Sequence, residues 1–160
     1  MKTFSQYITQ KQSLYVKRSL LNGEEVRQWA LSVGFKTTLE PEDMHCTIAF
    51  SRVPVSWDRA RYQKAENILT ITEPGRYIHQ FNGGAVVLQF NSKILQDEWQ
   101  NYRNIGCSWD FPEYKSHITI SYNSDNININ DIIPYNGPLI LGPQIFSVVN
   151  EDWKNSIKEK

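Results

Sequence analysis

Two stretches decide how this chain is read: MHCTIAF at residues 44–50 and SHITISY at 116–122. Each places a histidine two positions before a threonine inside a short apolar run. The chain has three histidines, so two of them share this context. Both runs alternate in the manner of a strand, with His45, Thr47 and Ala49 on one face and Met44, Cys46, Ile48 and Phe50 on the other.

The spacing around these runs repeats. Gly34 precedes His45 by 11 residues, and Gly106 precedes His117 by 11. Tyr15 precedes Gly34 by 19, and Val87 precedes Gly106 by 19. An ungapped offset of 72 therefore superposes a strand, a helix, a stop glycine, a loop and a histidine strand. Residues 13–19, SLYVKRS, form the first strand of this series. A helix follows from an Asn22 cap, with Glu25 in a capping box and Val26, Trp29, Ala30 and Val33 as its apolar stripe. In the second half AVVLQF is entered through the turn NGG, and Ser92 caps a helix ending at Gly106. Period before identity is how a duplication announces itself. The expected fold is α+β: one domain over 1–160, two pseudo-symmetric lobes of antiparallel sheet plus helix, with halves at about 13–50 and 85–122 around a central cleft. Between the halves two strands fit near 67–72 and 76–81 around the turn EPG. After the second His strand NSDNININD is a loop, and PLILG and QIFSVV are closing strands.

Bulk composition bounds the function. Lys plus Arg and Asp plus Glu balance at 17 each, which argues against a coat for long DNA or RNA and leaves a small nucleotide ligand open. The N-terminus has no apolar stretch fit for a signal peptide, and no run suits a membrane helix. Cys46 and Cys107 stand far apart, so they read as buried or half-buried thiols of a reducing cytoplasm rather than a disulfide or zinc framework.

In a strand, residues i and i+2 point the same way. If a pseudo-twofold axis relates the lobes, two imidazoles and two hydroxyls surround one point. One imidazole can take a proton while the other gives one, and the threonines can hydrogen-bond non-bridging phosphate oxygens. That layout suits phosphodiester cleavage and calls for no metal. Zinc held by the His pair is the rival, but a third ligand is lacking. His79, in RYIHQF, has no threonine partner and reads as an ordinary strand residue near the cleft or surface.

These paired motifs resemble the 2H phosphoesterase superfamily. The wider text (SLYVKRSLLN, GFKTTLEPEDMHCTIAFSRVPVSW, FPEYKSHITISY and GPQIFSVVNEDW) resembles its phage anti-CBASS cyclic-oligonucleotide phosphodiesterases, over about residues 13–153. The resemblance implies a cofactor-free and metal-independent hydrolase of cyclic di- and trinucleotides, the alarm messengers of infected bacteria, acting in the host cytoplasm. It implies His45 and His117 as the acid–base pair and Thr47 and Thr119 as phosphate holders. It further implies Tyr15, Tyr77, Glu151 and Trp153 as substrate contacts. It leads one to expect an acidic residue where Gln144 stands, which places a detail of the ligand grip in question. Other readings are a phosphodiesterase for RNA ends bearing a 2′,3′-cyclic phosphate, a nucleotide sponge, and a passenger domain of a morphogenesis protein. A monomer suffices for a hydrolase of this size.

Overall fold

The computed structural model describes residues 11–152 and residue 159. Seven strands and three helices follow in the order β1 (Lys11–Leu20), α1 (Gly23–Ser32), β2 (His45–Ser56), α2 (Trp57–Arg61), β3 (Leu69–Ile71), β4 (Tyr77–Gln80), β5 (Val86–Gln89), α3 (Lys93–Asn104), β6 (His117–Ser121) and β7 (Leu139–Ser147). They make two antiparallel sheets, β2-β1-β7-β3 and β4-β5-β6. Each His strand is thus the edge strand of its own sheet.

β1 alternates between half-buried Ser13, Tyr15, Lys17 and Ser19 and buried Leu14, Val16, Arg18 and Leu20. The second set joins Cys46, Ile48, Ile118 and Ile120 in the core. The first set shares its face with His45 and Thr47, because Lys17 lies directly across from Thr47 and Ser19 from His45.

The repeat is less uniform than an offset of 72. That offset holds for Gly34 and Gly106, both at positive φ, and for the two His-x-Thr strands. The preceding strands instead match at 70. Lys17 pairs with Thr47 and Val87 with Thr119, and a register shift falls at Val16/Lys17 in one sheet and at Val86/Val87 in the other. α3 has 12 residues against 10 in α1, which absorbs the two-residue difference.

Five local expectations change. β2 bulges at Ile48, so Ala49 is buried with the core set and Phe50 joins the face of His45 and Thr47, the reverse of strict alternation. The strands flanking EPG do not pair with each other: β3 joins β7 and β4 joins β5, so this segment crosses between sheets. PLILG and QIFSVV are one strand, β7, because a register shift opposite Arg18/Leu20 accommodates Gly142 and Pro143. Asn22 precedes α1 without capping it through its side chain. Its amide instead holds β7, donating to the Pro138 carbonyl at 2.7 Å and accepting from the Ile140 amide at 3.0 Å. Ser92 does cap α3, accepting from the Leu95 amide. Lastly, SWDRAR supplies the short helix α2, capped by Ser56, that the sequence reading left without structure.

Candidate active site

The two edge strands meet at the boundary of the sheets. The Tyr114 hydroxyl, from the loop before β6, donates to the Thr47 carbonyl at 2.7 Å and lies 3.6 Å from the Cys46 thiol. The Leu39 amide, from the loop before β2, donates to the Ile120 carbonyl at 2.8 Å. These bonds satisfy edge groups that would otherwise be open. They bring His45, Thr47, His117 and Thr119 to adjoining strands.

Both imidazoles are held in the same way. His45 Nδ1 is 2.7 Å from the Asp43 carbonyl, and His117 Nδ1 is 2.8 Å from the Lys115 carbonyl. A carbonyl only accepts, so Nδ1 carries the hydrogen in each ring and Nε2 is the nitrogen left for proton exchange. An aromatic ring braces each imidazole near a right angle: Tyr15 at 6.3 Å for His45, Phe81 at 5.1 Å for His117. Burial lowers both histidines below their ordinary value, against the opposing pull of those carbonyl bonds. His45 is lowered further by the charges of Lys17 and His117, and His117 by that of His79.

The lobes differ around this shared plan. The Tyr15 hydroxyl lies 3.0 Å from Thr47 Oγ1. Burial pushes the Tyr15 phenol up to about 12, so it keeps its proton near neutrality. When that hydroxyl is the donor to Oγ1, the threonine's own hydrogen is free for another acceptor. Across from Thr119 stands apolar Val87, so the second lobe has neither this phenol nor the Lys17 cation.

The remaining site expectations fall in different places. Tyr77, exposed on β4, lies across from Gln89 and lines a cavity of about 250 Å³ with Gln89, Gln96, Glu113 and Lys115, next to the His117 strand. Glu151 is exposed and pairs with Arg52. Trp153 lies outside the described residues. Gln144 is a correction. It is 2% exposed and faces away from the reactive groups. Its Nε2 donates to Glu98 Oε1 at 2.8 Å, and its Oε1 accepts from Tyr102 and from the Ala65 amide. The departure at this position therefore concerns the core and leaves the reactive face alone.

Lys17, Phe81 and the facing of His79 add to the groups around the two histidines. Lys17 was legible, since it alternates in step with Tyr15. Phe81 and the facing of His79 were not. His79 pairs with Val87 across the sheet, so it shares the Thr119 face, and the Phe81 ring stands between His79 and His117. Cys46, beside His117, is not a nucleophile of the usual kind, because burial pushes its thiol up to about 11. Among the described residues no three His, Cys, Asp or Glu side chains gather as a metal site would require. Among the same residues no helix is long and apolar enough to cross a membrane.

A family profile described as anti-CBASS protein Acb1 matches residues 12–156. The chain belongs to that family. An anti-CBASS protein Acb1 from Caulobacter sp. (strain RHG1) is 38% identical over 91% of this chain. The chain spans 24% of that relative's length, about a quarter. The anti-CBASS protein Acb1 of enterobacteria phage T4 is 26% identical over 91% of this chain and 93% of its own. Among solved structures, E. coli LigT complexed with 3′-AMP has a TM-score of 0.57 at 16% identity, covering 94% of this chain and 95% of that one. This chain thus shares the fold of LigT, an α+β fold of antiparallel sheets and helices as expected from the paired motifs.

Proposed function

We propose that this Acb1-family protein is a metal-independent phosphodiesterase that opens cyclic di- and trinucleotide messengers and so counteracts CBASS signalling in the host cytoplasm. The observation that supports this most is the matched restraint of two imidazoles. Each has Nδ1–H on a carbonyl two residues back, and the two lie close enough for the charge of His117 to lower His45.

The reaction uses both free Nε2 atoms. One, unprotonated, takes the proton of a ribose 2′-OH. The 2′ oxygen bonds to the neighbouring phosphorus while the P–O5′ bond breaks. The other Nε2, carrying a proton, delivers it to the departing O5′. The products are a 5′-hydroxyl and a 2′,3′-cyclic phosphate on a linear chain, which water then opens. Thr47 and Thr119 stabilise the charge on the non-bridging oxygens. Tyr15 and Tyr77 offer rings to bases, and Trp153 is assigned to the same ligand. Residues 1–160 act as one domain with related halves, working as a monomer on a small substrate rather than on long nucleic acid.

The test is incubation with 3′,3′-cyclic GMP-AMP and cyclic triadenylate in excess EDTA, with products separated by chromatography. Linear nucleotides are the expected products. His45→Ala and His117→Ala each lose turnover by at least about a hundredfold, the usual contribution of a positioned acid or base, yet still bind. Wild-type turnover by either variant would remove the acid–base assignment, and recovery of intact ligand from the wild type would favour a sponge.

A further inference from the structure

β2 continues past its two reactive residues. Because the strand bulges beside Ile48, Phe50 and Arg52 return to the face that carries His45 and Thr47. A line of flat groups results. Tyr15 meets His45 at 6.3 Å, Phe50 meets Tyr15 at 5.8 Å, and the Arg52 guanidinium carbon lies 5.0 Å over the Phe50 ring.

The far end of this line is built for a face rather than an edge. Arg52 Nε donates to Asp110 at 3.1 Å, and Nη1 donates to Glu151. Two carboxylates against one guanidinium leave the group net negative, so a phosphate is repelled. The Arg52 side chain is nonetheless half exposed, at 49%. What it presents is a planar cation backed by one ring and held at two corners. Bases stack on such surfaces, and aromatic residues interleaved with arginine are the usual platform for them.

We propose that Phe50 and Arg52 form a second nucleobase subsite, taking the base of a nucleotide other than the one whose phosphodiester is cut. Glu151 and Asp110 hold the guanidinium flat and do not themselves touch the ligand. This rests on the proposed function, since only an oligonucleotide reaches both places. Tyr15 stands beside Thr47 for the near base. Phe50 lies 5.8 Å beyond Tyr15, and the Arg52 guanidinium carbon a further 5.0 Å over the Phe50 ring.

The experiment measures binding by calorimetry in a His117→Ala background, where the ligand is not consumed. Cyclic triadenylate and adenosine 2′,3′-cyclic phosphate are compared in the presence and absence of Arg52→Ala and Arg52→Lys. Both Arg52 variants are expected to weaken cyclic triadenylate roughly tenfold, about 1.4 kcal/mol, and to leave the mononucleotide unchanged. Full affinity in Arg52→Lys would mean that charge suffices and would overturn the stacking subsite. Equal losses for both ligands would place Arg52 in support of the reactive centre and overturn it as well, as would no loss at all. If the parent binds the mononucleotide but not cyclic triadenylate or 3′,3′-cyclic GMP-AMP, the proposed substrate class falls and the subsite falls with it.

Discussion

Glu98→Gln is the perturbation whose cost can be worked furthest. Arg18 is 0% exposed and all five of its N–H donors are used. Nε and Nη2 reach Glu98 at 3.0 and 2.7 Å, while Asn67 and Gly142 accept the other three. Breaking a buried ion pair from one side costs about 3–5 kcal/mol, because the other charge stays buried without a counter-charge. Glutamine keeps one acceptor for Nε and Arg18 keeps its three other partners, so the low end applies, about 3 kcal/mol. The substituted amide also points donors at Arg18 Nη2, where an acceptor stood. At roughly 2–4 °C per kcal/mol for a chain of this size, the midpoint falls by about 6–12 °C. Calorimetry at pH 7.5 reads it, with Asp97→Asn as the control. Asp97 makes an exposed pair with Lys93, and its loss moves the midpoint hardly at all. A drop under about 2 °C for Glu98→Gln would show that Arg18 does not depend on its counter-ion, and the reasoning would fail.

Three further outcomes follow from the site and its support. Both imidazoles sit below the ordinary 6.5, and kcat/KM reports the free enzyme, so its bell-shaped maximum against pH is expected below 6.5; Lys17→Gln removes a cation that disfavours the charged His45 and shifts one limb to higher pH, whereas a maximum above 7 in the wild type would contradict the burial argument. Tyr15→Phe removes the hydrogen bond to Thr47 but keeps the ring, so kcat drops by up to about tenfold, in line with about 1 kcal/mol for one bond, while KM stays put; a rise in KM alone would mean that the hydroxyl grips substrate in the ground state. Gln144→Glu replaces the amide donating to Glu98 Oε1 with a second carboxylate, and is expected to destabilise by about 1–3 kcal/mol in urea unfolding; an unchanged midpoint would place residue 144 outside the Arg18 network.

The parts legible in the sequence were those written in local periodicity. β1 and both His-x-Thr strands show period-two alternation, and Gly34 and Gly106 sit where positive φ ends a helix. The parts that were not legible depend on partners distant in the chain. EPG has the look of a hairpin turn, yet β3 and β4 find better partners in β7 and β5. Asn22 has the chemistry of a cap, but the Pro138 and Ile140 backbone groups compete for its amide, 116 and 118 residues away. Gln144 alternates in a closing strand in the manner of a ligand contact. Only the positions of Glu98, Tyr102 and Ala65 show that its polar atoms are spent inside.

The same distant partners explain how a site between two sheets can be kept in register. His45 and His117 belong to different sheets, so a small slide of one lobe separates two groups that the proposed reaction brings to one phosphorus. The contacts opposing such a slide are polar and directional. Arg18 on β1 pairs with Glu98 on α3, joining the strand beside His45 to the helix that follows β5. Tyr114 and Leu39 each send a donor to the opposite lobe's His strand. Glu159 accepts from Thr37 on one side and from Ser121 on the other. Hydrophobic burial supplies adhesion but sets no direction, and it tolerates sliding of packed faces. Hydrogen bonds lose most of their strength below about 120°, so they set position as well as attraction. The matched histidines specify the chemistry, and the unmatched polar pairs across the boundary hold the two halves of that chemistry at working distance.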